Sequence, residues 1–258
     1  MELGLGGKLA VVTGASKGIG LAVTRRFVEE GARVVAGSRS VTAELAELVD
    51  GGAVEAVTVD LAEPDGPARL IAAASDRLDI LVNNVGVATP RLDGFLAITD
   101  DMWQHTLNLD FMAGVRAIRA ATGHGCQRWR GDRQRRIDQW PAAASDGHGL
   151  QRGEGRVQQS SKALSKEFGA QNIRVNTVDP GPVATDFWAG RDGVASVLGD
   201  ASGKSPDEVT QEFASNSITG RFTRPDEVAD LVIMLASDRF ANMMGAGVTI
   251  DGGMVPTL

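Results

Sequence analysis

An eight-residue glycine-rich stretch near the N-terminus, TGASKGIG at 13–20, has the spacing of a phosphate-binding loop. Gly14 permits a tight turn, Gly18 lets a pyrophosphate approach the backbone, and Gly20 lets a helix pack closely on a strand. Glycines also mark ordinary turns, so the position of this stretch between a strand and a helix is what favours phosphate binding. The candidate phosphate-binding residues are Gly14, Ser16, Lys17, Gly18, Ile19 and Gly20.

Strand-like and helix-like patterns alternate on both sides of this loop. Short β-branched runs predict strands at 9–14, 33–38, 54–60, 79–86, 173–181 and 247–253. Helical patterns lie at 19–30, 42–49, 65–77, 98–121 and 226–237. Such alternation predicts an α/β fold, a single-domain Rossmann-type doubly wound parallel sheet with helices on both faces, over 1–258.

Composition limits the classes of function. The 258 residues are 43% hydrophobic and 23% charged, with a formal net charge of -7, which argues against nucleic acid and anionic membranes as partners. The apolar runs are strand-sized, and Cys126 is the one cysteine, so we expect no transmembrane helix, no disulfide framework and no metal site. A cytoplasmic protein is the simplest interpretation.

The residues after the second predicted strand concern the choice of cofactor. Dinucleotide folds that prefer NAD place an acid there, against the ribose 2′-hydroxyl. Here that place holds Ser38 and Arg39, and Lys17 lies in the glycine-rich loop. Two cations without a carboxylate suit a 2′-phosphate and favour NADP(H) over NAD(H). The alternative is that both are solvated surface charges.

A set of further motifs resembles the short-chain dehydrogenase/reductase family. They lie in the family's order and the resemblance covers 1–121 and 160–258. They are TGASKGIG, Asp60-Leu61, NNVG (83–86), Asn108, IRVNTVDPGPVATD (173–186), GRFTRPDEVA (220–229) and GVTIDGG (247–253).

The resemblance implies where the rest of the cofactor would lie. Asp60 and Leu61 would contact the adenine. The adenosine side would be lined by Asn84, Val85 and Gly86, and the nicotinamide end held by Pro180, Gly181, Val183 and Thr185. A strand-end turn and a buried asparagine ladder are the alternatives for the DPG and NNVG motifs.

The resemblance also implies a substrate loop and an assembly. The segment 186–219 would close over a small-molecule carbonyl or alcohol substrate, with Phe187 and Trp188 either forming an apolar wall or packing inside the protein. Family members commonly form homodimers or homotetramers, which is the assembly that the resemblance implies here.

The family's reaction uses an Asn, a Ser and a Tyr-x-x-x-Lys pair, as the resemblance implies. The tyrosine is the general acid or base, and free tyrosine titrates near 10, so it needs the lysine to lower its pKa. This chain supplies Asn108 and contains no tyrosine. Lys162 lies on the wrong side of the expected lysine position.

The missing residues all fall in the anomalous segment, 122–159. It has seven arginines, no lysine and the single cysteine, and its RGDRQRRIDQ stretch is too charged for a strand buried on both faces. A polar insertion of this length inside a compact domain is itself unusual. If the protein truly contains this segment, we therefore expect the sheet to lose a central strand.

A shifted reading frame accounts for this segment. Gly147 to Glu154 can be encoded by codons that, read one base later, give Val-Met-Ala-Tyr-Ser-Ala-Ala-Lys. The tyrosine then falls at Leu150 and the lysine at Glu154, and the shift permits Ile-Val-Asn at 132–134 and a serine at Ile137. Ile137 and Leu150 are thirteen positions apart, the family's usual serine-to-tyrosine spacing. A divergent insertion and a pseudoenzyme remain as alternatives.

Two functions follow from these residues. The first is an NADP(H)-dependent oxidoreductase that transfers hydride between nicotinamide and a carbonyl or secondary alcohol, active only if the Ser, Tyr and Lys positions are in frame. The second is a non-catalytic NADP(H)-binding protein or sensor. A nucleic-acid function would depend on the arginines of 128–136 alone, and these belong to the anomalous segment.

Overall fold

The structure is a computed structural model that describes residues 2–74, 77–87, 92–123, 135–139, 151–191 and 193–254, with the backbone alone at 135–139 and 151–156. Seven parallel strands form one sheet in the order β3-β2-β1-β4-β5-β6-β7. The strands are β1 (Leu9–Thr13), β2 (Arg33–Ser38), β3 (Val54–Thr58), β4 (Ile80–Asn83), β5 (Arg135–Gln139), β6 (Ile173–Pro180) and β7 (Gly247–Ile250). The predicted single α/β domain with a doubly wound parallel sheet is confirmed.

Helices cover both faces of this sheet. They are α1 (Gly18–Glu29), α2 (Ala43–Asp50), α3 (Gly66–Ala73), α4 (Asp100–Leu107), α5 (Ala113–Gly123), α6 (Gln151–Phe168), α7 (Asp186–Ala189), α8 (Val194–Ser202), α9 (Pro206–Ser215) and α10 (Pro225–Ala236). One hydrophobic core contains Phe27 of α1 and Val232 of α10, and a second contains Leu70 of α3 and Ala117 of α5. Side chains alternate across a strand, so Val12 enters the first core and Val11 the second.

The strand order places a crevice at the carboxyl ends of β1 and β4. β1 lies between β2 and β4, so the connections leave it towards opposite sides of the sheet. Ligands of open α/β sheets bind at such a switch point. Thr13 and Asn83 end these two strands, and the glycine-rich loop and the NNVG motif follow them directly.

The helix predicted at 98–121 begins and ends close to the prediction. Its backbone hydrogen-bond pattern changes in the middle. Thr99 caps α4, because its Oγ1 accepts a hydrogen bond from the N–H of Met102 at 3.3 Å. Between α4 and α5 the segment Asn108–Met112 forms one π-helical stretch. Such bulges re-aim the side chains they contain and are frequent at functional sites.

The prediction that the sheet loses a central strand is wrong, because the backbone of 135–139 forms a paired strand. β5 lies between β4 and β6, and its residues Arg136, Ile137 and Asp138 pair with both neighbours. The prediction failed because backbone groups of adjacent parallel strands accept any residue other than proline as a hydrogen-bonding partner. The side chains of β5 lie outside the described part of the structure.

The expected substrate loop at 186–219 contains the three helices α7, α8 and α9. Ser205 begins α9 with a capping box, in which its Oγ accepts from the N–H of Glu208 and the Glu208 carboxylate accepts from the N–H of Ser205. This segment is therefore an ordered helical excursion from the sheet.

Among the described residues, no helix is both long enough and apolar enough to cross a bilayer. In the same residues, no group of three His, Cys, Asp or Glu side chains is placed to hold a metal ion.

Candidate dinucleotide site and catalytic region

The glycine-rich loop leaves β1 at Thr13 and enters α1 at Gly18. Gly14 and Gly18 have φ values of +66° and +56°, in the left-handed region that side chains disfavour. A Cβ at Gly20 would collide with the Gly14 carbonyl oxygen and would lie 2.5 Å from Nδ2 of Asn84. The three glycines therefore let the loop fold tightly onto the end of β1.

No side chain at the N-cap of α1 accepts a hydrogen bond from the first N–H groups of this helix. Lys17 occupies the N-cap position with extended backbone and forms no side-chain capping hydrogen bond. In α2, by contrast, Oγ1 of Thr42 accepts a hydrogen bond from the N–H of Leu45 at 3.4 Å. The first N–H groups of α1 and the positive end of the helix suit a phosphate. Together with the space left by the glycines, these groups fit the pyrophosphate of a dinucleotide.

The NNVG motif fixes the loop from the neighbouring strand. Oγ1 of Thr13 accepts hydrogen bonds from the N–H groups of Asn84 and Val85, at 2.8 and 3.0 Å. Nδ2 of Asn84 donates to the carbonyl oxygens of Thr13 and Gly14, at 2.9 and 3.2 Å. Asn84 therefore has a structural role, whereas Gly86 is exposed beside it.

Two cations are exposed near the carboxyl end of the sheet, one directly after β2 and one in the glycine-rich loop. Ser38 is buried, and its hydroxyl donates to the Ser40 carbonyl at 2.8 Å. Arg39 and Lys17 are exposed, and neither side chain forms a hydrogen bond or an ion pair with the residues that the structure describes. Their charges are therefore available to an anion beside the glycine-rich loop.

The segment after β3 continues this surface. The N–H of Val59 donates to the Ser38 carbonyl at 2.8 Å, which holds the ends of β2 and β3 together. Asp60 is exposed, and its Oδ1 accepts a hydrogen bond from the N–H of Ala62 at 2.9 Å. Leu61 is only 3% exposed and packs into the second core.

The DPG turn at the end of β6 leads to Thr185, which faces the glycine-rich loop. A Cβ added to Gly18 would lie 3.3 Å from Cγ2 of Thr185, so these two residues adjoin. A Cβ added to Gly181 would lie 2.8 Å from Cβ of Asp251, so this glycine permits close approach to the chain after β7. Val183 is buried just before Thr185. The turn thus closes the cleft opposite α1.

The two aromatic residues after this turn differ in role. Trp188 is 3% exposed, and its ring meets those of Phe213 and Phe222 edge-on at centroid distances of 4.9 Å. Its Nε1 donates to Oγ1 of Thr210 at 3.2 Å. Trp188 is therefore a packing residue, and Phe187 is half-buried against the same cluster.

A cavity of about 400 Å³ lies between α5 and α6, beside the carboxyl end of β4. Asn83 lines it and is 6% exposed, and neither atom of its amide has a hydrogen-bond partner among the described residues. Asp110, in the π-helical stretch, also lines it, and its Oδ1 accepts from the N–H of Val87 at 2.7 Å. Its Oδ2 is buried without a partner in the part of the chain that the structure describes, and burial raises the pKa of this carboxyl to about 6.

Sequence reasoning missed Asp110 and selected Asn108, two residues earlier. Asn108 is not among the residues that line the cavity; its amide is held by the carbonyl of Ala62 and by Arg116. The available signal was an acid between Leu109 and Phe111 in a helix that packs on the sheet. Because a carboxylate among apolar neighbours is costly, it indicates a polar site.

The positions of the absent Ser, Tyr and Lys are only partly described. Ile137 pairs with Leu81 and Val175 in the middle of β5, and Glu154 lies in the first turn of α6. Leu150 lies outside the described residues. Lys162, further along α6, donates from Nζ to the Gly245 carbonyl at 3.0 Å.

Comparison with solved structures places this fold beside reductases. The chain aligns over 100% of both chains, at 30% identity and a TM-score of 0.88, with an L-sorbose reductase from Gluconobacter frateurii whose structure contains NADPH and L-sorbose. It also aligns with a short-chain dehydrogenase/reductase from Serratia marcescens at 27% identity and a TM-score of 0.80, over 97% of this chain and 98% of that one.

Comparison of sequences agrees with the structural likeness. The chain is 32% identical to D-threitol dehydrogenase of Mycolicibacterium smegmatis, over 96% of this chain and 93% of that protein. It is 30% identical to L-xylulose reductase of Bos taurus over the full length of both. The short chain dehydrogenase family model matches 8–132, the enoyl-(acyl carrier protein) reductase model matches 154–255, and 133–153 lies outside both. The chain therefore belongs to the short-chain dehydrogenase/reductase family of oxidoreductases.

Proposed function

We propose that this chain binds NADP(H) in the cleft between the glycine-rich loop, the end of β2 and the DPG turn. The observation that carries the proposal is the pair of exposed cations, Lys17 and Arg39, beside an open helix N-terminus. No acid stands at 37–40, where a carboxylate would select NAD. The NADPH found in the L-sorbose reductase structure supports this choice.

The reaction we propose is hydride transfer to or from a carbonyl or secondary alcohol, the chemistry that a bound nicotinamide supplies. The residues of the chain then have two tasks, which are to hold the dinucleotide and to move a proton at the substrate oxygen. The glycine-rich loop and Thr185 serve the first task. A group for the second is missing, because the family's tyrosine, lysine and serine positions hold Leu150, Glu154 and Ile137.

We attribute this gap to a reading frame that is shifted over about 122–159. The stretch 133–153, which lies outside both family matches, falls within that segment. The shifted reading supplies serine, tyrosine and lysine together at the family's spacing, and one displaced segment explains all three losses. A frame-restored chain is then an ordinary member of the family.

The substrate we propose is a small polyol or ketose. D-threitol, L-xylulose and L-sorbose are named in three of the relatives, which are 30–32% identical to this chain. The helical segment 186–219 would form one side of the substrate site, with Phe187 as an apolar surface. A homodimer or homotetramer in the cytoplasm completes the proposal, with no nucleic acid and no membrane as partner.

The alternative is a non-catalytic NADP(H)-binding protein or sensor. The observation that favours it is the absence of tyrosine from all 258 residues of a chain whose dinucleotide cleft is otherwise formed. Both functions require cofactor binding, so only turnover separates them.

The first experiment is to sequence the DNA that encodes residues 120–162. A continuous frame encoding Tyr-x-x-x-Lys supports the oxidoreductase. Codons for Leu150 and Glu154 support either a damaged gene or the sensor. The chain and a version with 122–159 read one base later are then purified, and oxidation of NADPH is followed with a ketose panel. We expect turnover from the frame-restored chain alone; equal rates from both chains would refute the assignment of the missing groups.

The second experiment tests cofactor choice. The variants Lys17→Ala and Arg39→Ala should weaken NADPH binding about 10- to 100-fold, the loss of one hydrogen bond to a charged group, and should leave NADH binding unchanged. Arg25→Ala removes an exposed cation from the far side of α1 and is the matched control. Equal losses for NADPH and NADH would contradict the proposed selectivity.

A further inference from the structure

The turn that connects β3 to α3 is fixed by hydrogen bonds on both sides of one residue. The N–H of Ala62 donates to Oδ1 of Asp60 at 2.9 Å. The carbonyl of Ala62 accepts from Nδ2 of Asn108 at 2.7 Å, a contact across 46 positions of sequence. The first bond is local to the turn, whereas the second fastens the turn to the π-helical stretch. Asn108 therefore ties the turn that carries Asp60 and Leu61 to the π-helical stretch.

Asn108 is itself held in one orientation. Nη1 of Arg116, one turn into α5, donates to its Oδ1 at 2.6 Å. A guanidinium can only donate and a carbonyl can only accept, so the two partners require the amide oxygen to face Arg116 and the amide nitrogen to face Ala62. The side chain is half-buried, which shields both bonds from competition with water.

The turn held in this way carries the hydrogen-bonding groups that suit an adenine edge. Asp60 presents an exposed carboxylate, and the N–H of Leu61 forms no hydrogen bond with the described residues. The Asp60 carboxylate can accept a hydrogen bond from the amino group of adenine, and the N–H of Leu61 can donate to an adenine ring nitrogen. Movement of the turn by a fraction of an ångström would spoil this match.

We propose that Asn108 is a positioning residue for the adenosine end of the dinucleotide and acts through Ala62. This inference rests on the proposed NADP(H) site. It assigns to Asn108 a task distant from the reacting carbon, in place of the catalytic task that the family resemblance implies. Asp110 and Phe111 of the π-helical stretch line the cavity, whereas Asn108 does not.

The test uses the full chain and two fragments of the cofactor. Binding of 2′,5′-ADP, of reduced nicotinamide mononucleotide and of NADPH is measured by calorimetry. The variants are Asn108→Leu, which removes both hydrogen bonds, and Arg116→Met, which removes the bond that orients the amide. Asn216→Leu makes the same change at an exposed site at the end of α9 and serves as the control.

We expect Asn108→Leu to weaken 2′,5′-ADP and NADPH by the same factor, about 5-fold or more, as for the loss of one hydrogen bond. Arg116→Met should weaken both in the same direction by a smaller factor. Binding of reduced nicotinamide mononucleotide should not change, a separation that general loss of structure would not produce.

Two results would overturn the inference. Unchanged 2′,5′-ADP affinity in Asn108→Leu would remove the positioning role and leave the NADP(H) site intact. Equal weakening of both fragments would assign Asn108 a general structural role. If the unaltered chain binds neither 2′,5′-ADP nor NADPH, the proposed function itself fails, which the first two results would not imply.

Discussion

Asp110 offers a direct test of the energetics of the cavity. Burial raises its pKa from 3.8 to about 6, because the carboxylate form loses hydration that the single bond from Val87 does not replace. Between these pH values the folded protein holds a proton that the unfolded chain releases. The contribution of Asp110 to stability is therefore most favourable below pH 3.8 and falls as the pH rises through 6. The difference corresponds to about 3 kcal/mol.

The perturbation is Asp110→Asn, which keeps the shape and the acceptor for Val87 but removes the charge. We expect the variant to match the unaltered chain near pH 4 and to exceed it by up to about 3 kcal/mol in unfolding free energy at pH 8. Urea titrations followed by tryptophan fluorescence at several pH values measure this difference. Asp179, whose pKa is also raised by burial, is present in both proteins and cancels.

Asp93→Asn changes an exposed carboxyl in the same way and is the control. Its unfolding free energy should follow that of the unaltered chain at every pH. If Asp110→Asn differs from the unaltered chain by the same amount at pH 4 and pH 8, the carboxyl does not titrate as its burial requires. A variant that is less stable at pH 8 would show that the charge has a stabilising partner.

The other predictions concern the loop and the aromatic cluster. Gly20→Ala should abolish NADPH binding in a calorimetric titration, because its Cβ would collide with the Gly14 carbonyl; Gly6→Ala, whose Cβ would have only a backbone oxygen at 4.0 Å, should bind normally. Trp188→Ala should lower the unfolding free energy by about 3–5 kcal/mol in urea titrations, the usual cost of emptying a buried aromatic site. Phe95→Ala, at a 61% exposed position, should change it little, and equal effects would contradict the packing role of Trp188.

The sheet could be predicted because its strands are visible in the sequence as short runs of apolar and β-branched residues. β1 and β2 are apolar and β-branched and lie buried, as strands covered on both faces must be. Gly31 ends the pattern of α1 in the left-handed region, at φ +76°, as a C-terminal glycine should. The ends of elements carry a weaker sequence signal. The helix predicted at 65–77 ends at Ala73 in the structure, and the sequence prediction ran past this end because no glycine marks it.

The parts of the site that depend on long-range contacts could not be predicted. The π-helical stretch has no sequence signature, and it decides that Asp110 reaches the cavity while Asn108 is bonded to Ala62. The helices inside 186–219 were not predicted, although the capping box at Ser205 and Glu208 is a local helix-start signal. Trp188 packs inside the protein and does not line the substrate site. This depends on its contacts with Phe213 and Phe222, which are distant in sequence.

The presence of β5 is compatible with a shifted frame. The N–H and C=O groups of β4 and β6 that face each other each need a hydrogen-bond partner. A strand between them supplies these partners with its own backbone, whatever its side chains are. The conflict lies in the residue types, since Arg135, Arg136 and Asp138 stand in a strand that has a neighbour on each side in a sheet with helices on both faces. The shifted reading replaces the charged Asp132 and Arg133 by isoleucine and valine, just before this strand. Restoring the frame should therefore supply apolar residues beside β5 and preserve the strand order, so it should raise the free energy of unfolding as well as supply the missing proton donor.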